Sequence, residues 1–131
     1  MKKLHQLFVI SACAASVLSF NASANVEAAL ANICTIVQSD DKSELRKKMR
    51  NVQSNYSLKL SDYYDGISCN GNSLIRTAIL NNAVEAGTLL VKKMPKSKLG
   101  EPEKDGMLLT DWIASNNLQS NEIAAVVQDR M

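Results

Sequence analysis

The stretch Cys69-Asn70-Gly71-Asn72-Ser73-Leu74-Ile75-Arg76 joins a cysteine, a turn and a helix start, then runs on to Lys93 as a two-helix pattern. Asn70-Gly71 is a turn dipeptide. Asn72 or Ser73 offers a capping oxygen to a helix over Leu74 to Leu80. Asn81-Asn82 interrupts that helix. A second one runs from about Ala83 to Lys93, with Val84, Leu89, Leu90 and Met94 apolar, and Pro95 stops it. A lone hairpin cannot bury its apolar face, so neighbouring hairpins must stack on it.

The flanks supply them. Upstream, Val26, Leu30, Ile33 and Val37 fall at helical spacing and predict a helix from Val26 to Val37, with Cys34 on the flank of its apolar face. Ser39-Asp40-Asp41 breaks the pattern, and Asp41 with Glu44 forms a capping-box signature for a helix over Lys42 to Gln53. Asn55 to Gly71 has no clean period and reads as an ordered, exposed connector with a short helix around Ser61 to Tyr64. Downstream, Lys96 to Gly106 reads as an exposed linker. Leu108 to Ser115 and Ser120 to Gln128 form a last hairpin broken at Asn116-Asn117. The expectation is an all-α domain of three stacked helical hairpins.

The chain has 131 residues, so one domain is the default. Its first segment carries Lys2 and Lys3, an apolar run from Leu7 to Phe20, and the small-x-small site Ala22-Ser23-Ala24. These predict a signal peptide over residues 1–24, cleaved after Ala24, a domain at 25–131, and a periplasmic or secreted location. The apolar run is shorter than the ~20 residues of a membrane helix, so no transmembrane segment is expected. Ile10-Ser11-Ala12-Cys13 resembles a lipoprotein cleavage box, but cleavage there leaves an apolar core shorter than the ~7 residues such segments need.

Residues 1–24 take two lysines and no acidic residue with them, so the formal charge of +2 falls to zero in the remainder. Neutrality, export and few aromatics argue against nucleic acid as a partner. His5, the only histidine, also leaves, which excludes Ser-His-Asp and Cys-His catalysis. The remaining cysteines, Cys34 and Cys69, form an even pair in an exported chain and read as a disulfide. Such a bridge closes a loop of about 35 residues and stabilises by roughly 4 kcal/mol on the loop-entropy model. A redox-active pair is the alternative, although Cys-x-x-Cys is the usual form for that chemistry. A metal pair is disfavoured because zinc would need carboxylates beside the two thiolates. No cofactor or metal is expected.

Three polar clusters remain. Asp62 and Asp65 flank Tyr63-Tyr64, and turn capping with packed tyrosines is favoured over acid–base work or cation binding. Lys42, Arg46, Lys47, Lys48 and Arg50 make one helix basic, either as a solvated face or for an acidic partner or envelope polyanion. Lys92, Lys93, Lys96 and Lys98 suit a helix C-terminus. Trp112 lies at core spacing and is expected to pack.

Gly71-Asn72-Ser73-Leu74-Ile75-Arg76-Thr77-Ala78 resembles the start of an ankyrin repeat, with Asn82, Glu85, Leu89 and Leu90 at its later positions. Leu74 stands where that family prefers proline, Arg76 where it prefers histidine, and Gly87 interrupts the second helix. The resemblance implies an ankyrin-like stack and a protein-binding surface. Ile33-Cys34-Thr35 with Asp40-Asp41, and Cys69-Asn70-Gly71 with Ser73-Leu74, are similar to a family of short exported bacterial proteins of unknown function, over about residues 26 to 95. That resemblance supports the disulfide and the compartment and implies no activity. The resulting expectation is a non-enzymatic binding or accessory protein of the cell envelope, with a possible protein partner contacted through Tyr63, Tyr64 and Asp65. The alternative is a thiol–disulfide protein or small envelope enzyme using Cys69.

Overall fold

The computed structural model describes residues 25–131. The expected signal peptide, its cleavage site and Cys13 lie outside the described residues. Asn32–Met131 forms one compact unit, while residues 25–29 are helical and belong to a separate one. Among the described residues there are no strands, only helices and two isolated bridge pairs, Cys69 with Asn72 and Pro102 with Leu108. The chain is all-α.

The helices are α1 (Ile33–Gln38), α2 (Lys42–Tyr56), α3 (Leu60–Tyr63, followed by a 3-10 turn Tyr64–Gly66), α4 (Leu74–Leu80), α5 (Val84–Lys93), α6 (Lys96–Leu99), α7 (Leu109–Ser115) and α8 (Glu122–Arg130). Helix α1 pairs with α2, α4 with α5, and α7 with α8. The pairs then layer: α1 lies against α4, α2 against α5, and α5 against α8. Leu45, Leu74, Ile75, Leu90, Leu109 and Ile123 are fully buried between them.

The three hairpin turns are built alike. Asp40, Asn82 and Asn117 each take a left-handed backbone, with φ of 57°, 52° and 56°. In each case the next amide bonds back to the carbonyl five residues earlier: Asp41 to Ile36 at 3.1 Å, Ala83 to Ala78 at 2.8 Å, Leu118 to Ile113 at 2.9 Å. This is the Schellman termination, and Asn and Asp are the non-glycine residues that tolerate its left-handed position. The same effect corrects the expected Val26–Val37 helix. Asn32 has φ 65°, which ends one helical run and starts α1 at Ile33. Cys34 therefore sits in the first turn of a helix rather than in its middle.

Neighbouring hairpins also complete one another's ends. The N-cap of α5 is Ala83, which has no side-chain acceptor. Asp40, in the turn of the first hairpin, supplies it: its Oδ1 accepts from the Ala86 amide at 2.7 Å. The helix dipole adds to this attraction. Within α2, Asp41 accepts from the Glu44 amide at 3.1 Å, the forward half of the expected capping box. Cys34 and Cys69 are bonded, with Cα atoms 5.6 Å apart, and tie α1 to the turn that precedes α4. Gly87 lies where α5 meets α8 and α4. A Cβ there would stand 2.5 Å from Ile123 Cδ1 and 3.0 Å from Ala78 Cβ. Close helix approach, not a break, explains this glycine.

The segment expected as an exposed linker is a packed strap. Leu99 is buried, the Glu103 amide bonds to Met107 O at 3.0 Å, and Gly106, at φ 85°, reverses the chain. Glu103 turns inward, and the exposed Asp105 reaches back, towards a buried cation described below.

Two substitutions test this packing by urea denaturation. Asp40→Ala removes a cap and strains a left-handed residue, and is expected to cost about 2 kcal/mol, whereas Asp40→Asn stays within about 0.5 kcal/mol of wild type. Gly87→Ala gains helix propensity of about 1 kcal/mol yet is expected to destabilise by about 1–3 kcal/mol, because Ile123 must move.

Candidate functional site

Arg76 lies on α4 in the run Leu74-Ile75-Arg76-Thr77-Ala78-Ile79, every member of which is buried. A guanidinium in such a place needs partners on all sides. Its Nη1 and Nη2 bond Asp105 Oδ2 and Oδ1 at 2.7 and 3.1 Å. Nε lies 2.7 Å from Glu103 Oε1, an ion-pair contact rather than an aligned hydrogen bond. Trp112 lies beneath, its ring centroid 5.0 Å from Cζ. Glu103 is held in turn by two hydroxyls, Tyr64 at 2.6 Å and Ser73 at 2.9 Å.

The cluster has strongly shifted titrations, which often mark active sites. Burial first, and Glu103 second, raise the Tyr64 hydroxyl far above the ordinary phenol range. The Arg76 hydrogen bonds lower Asp105 to about 2. Chemistry, however, needs a group free to exchange a proton with substrate. Here both carboxylates are taken up by Arg76, and Tyr64 is locked as a donor. The arrangement fits a clasp that fixes the strap and α7 to the middle hairpin. Among the described residues no group of three or more His, Cys, Asp or Glu side chains converges to hold a metal.

A second feature lies on another face. Arg46, Arg50 and Gln53 of α2, Lys59 just before α3, and Lys93 at the end of α5 surround a groove of about 370 Å³. Met49 and Leu60, both buried, close its floor. No carboxylate lines it. The ion pairs made by Glu44, Asp65, Glu101, Glu103 and Asp105 do not engage the four groove cations. Arg46 and Arg50 share a helix face because they are one turn apart. Lys59 and Lys93 join them because α2 packs on α5 and the chain turns back after Tyr56.

The connector residues lie elsewhere than expected. Tyr63 and Tyr64 are 7% and 3% exposed, so neither is a surface contact. Burial, then Asp62, pushes the Tyr63 hydroxyl up to about 12. Asp65 alone of the three is exposed, and it pairs with Lys98 at 2.6 Å. The reason is the strap, which lays Glu103 over Tyr64. Asp62 caps α3, accepting from the Lys59 amide at 2.8 Å, in keeping with the turn-capping reading. Sequence reasoning missed Arg76 as a buried cation. Its signal was an arginine inside an apolar helix run, with acidic residues only in the distant strap. The groove brings the basic helix together with two lysines from other segments, which no local pattern joins.

The chain belongs to the family described as "Protein of unknown function (DUF3718)", which matches residues 33–100. The matched span holds both bridged cysteines, the first two hairpins and all four groove cations, and ends before Glu103 and Asp105. No curated protein and no solved structure matches the chain.

Acid titration tests the clasp. Asp105 titrates at about 2 folded against 3.8 ordinarily, so its contribution is complete above pH ~4 and is lost as pH falls towards ~2. Asp105→Asn is expected to melt lower than wild type at pH 6, with a smaller further loss between pH ~4 and ~2, measured by circular dichroism. Glu103→Leu, which leaves the buried guanidinium half-answered, is expected to cost about 3 kcal/mol.

Proposed function

We propose that this chain is a periplasmic, non-enzymatic binding or accessory protein of the bacterial cell envelope, and that the groove between α2, α3 and α5 is its working surface. One observation carries this reading: four cations from three segments converge on one concavity without a carboxylate among them. Such a concentration of like charge opposes folding. A partner of opposite charge would relieve that repulsion, which favours an anionic partner over a merely solvated face. The signal-like residues 1–24 and the disulfide, a bond that persists in oxidising compartments, support export. An ankyrin-like stack is supported by three hairpin turns of one geometry and by Ser73, whose hydroxyl caps α4 through the Arg76 amide at 3.3 Å.

A second reading, thiol–disulfide exchange, draws on Cys34, which lies in the first turn of α1, the placement that reactive Cys-x-x-Cys pairs use. Against it, Cys69 is buried.

Export is tested by the intact mass of protein from the periplasmic fraction, which should begin at Asn25, with one disulfide and no lipid. A retained leader overturns it. The groove is tested by capturing envelope components with wild type and with Arg46→Gln/Arg50→Gln. The bound set should vanish in the variant, and identical captures count against the groove. A reduction potential below about −300 mV fits a structural bridge, and one well above it favours the second reading.

A further inference from the structure

The groove offers its positive charge through side chains alone. A helix N-terminus or a nest would instead present backbone amides to a compact phosphate. Here Arg46 and Arg50 lie mid-helix and Lys93 is the last residue of α5. The one helix N-terminus on the rim, at Lys59, already has its amide bonded to Asp62. All the positive charge therefore sits on side chains strung along the groove. That arrangement matches an anion whose charges are themselves strung along a chain.

We propose that the groove seats an extended acidic segment of a partner protein, with carboxylates at alternate residues; this rests on the groove being the working surface. Arg46 and Arg50 are separated by a rise of ~6 Å along α2. Alternate side chains of an extended peptide point the same way about 6.6 Å apart. Each guanidinium thus meets one carboxylate, and its planar fork takes it bidentately. Lys59 and Lys93, which line the same groove from other segments, take further carboxylates. Gln53 carries both a donor and an acceptor for the peptide's backbone.

The floor selects against a bilayer as occupant. Met49 and Leu60, the apolar side chains of the floor, are buried and do not project to enter a bilayer.

The test uses full-length protein after export and a fluorescein-labelled, acetylated hexapeptide with glutamate at alternate positions. Anisotropy is read in low salt, with the glutamine version as control. The glutamate peptide should bind and the glutamine peptide should not. Arg46→Gln/Arg50→Gln should weaken binding about tenfold or more. Lys47→Gln/Lys104→Gln, which removes the same charge outside the groove, should leave it unchanged. Thermal melts confirm that both variants are folded. Equal weakening by the two pairs overturns the proposal, because general electrostatics then suffices. Inorganic phosphate and vesicles of equal parts phosphatidylglycerol and phosphatidylcholine run alongside. Binding of either that needs Arg46 and Arg50, without peptide binding, overturns the peptide and leaves the groove standing. No binding to any of the three, with captures unaltered by the variant, overturns both.

Discussion

A guanidinium inside an apolar helix run must be answered or the fold fails, and Arg76 is answered from three directions. Asp105 and Glu103 neutralise it from the strap, Trp112 stacks on it from α7, and Tyr64 and Ser73 hold Glu103 in position. The cost of burying the charge is offset only when all these groups arrive together. The cluster therefore couples the connector, the strap and the third hairpin to the middle one. Without it, residues 96 to 107 would have little reason to cover the tyrosines.

The first two hairpins are joined by different means. Asp40 completes the N-terminus of α5 from the next hairpin, and Cys34–Cys69 anchors α1 to the turn before α4. Asn121 adds a similar tie further on, donating to the Ile79 carbonyl at 3.4 Å. The Asp40 and Asn121 links each use a polar side chain near one hairpin's turn to satisfy the end of a helix in another. Stacking therefore satisfies backbone polarity as well as burying leucine and isoleucine, so the unit should unfold as a whole.

Charge is segregated rather than absent. Residues 25 to 131 are formally neutral, yet two strap carboxylates are consumed around Arg76 while four cations stand together at the groove. Neutrality overall thus argues only against indiscriminate attraction to polyanions. A local patch of one sign retains selectivity, because its field decays within about a Debye length of 8 Å at physiological salt. Binding of the proposed kind would be short-ranged, salt-sensitive and specific to the groove.

Periodicity and punctuation alone determined the three helical pairs, the caps at Asp41 and Ser73 and the positions of the hairpin turns. Asn81-Asn82 and Asn116-Asn117 state in two residues that the backbone turns left-handed there. Cys34 and Cys69, paired on the expectation that Cys13 is removed, are bonded. Local chemistry governs all of these, within one turn of helix or one loop. Tertiary structure alone decided that Tyr63 and Tyr64 are inside, that Lys96 to Gly106 is a strap, and that Arg46, Arg50, Lys59 and Lys93 share a cavity. Those outcomes depend on charges and surfaces that meet across 30 or so residues of chain, where no sequence period carries the information.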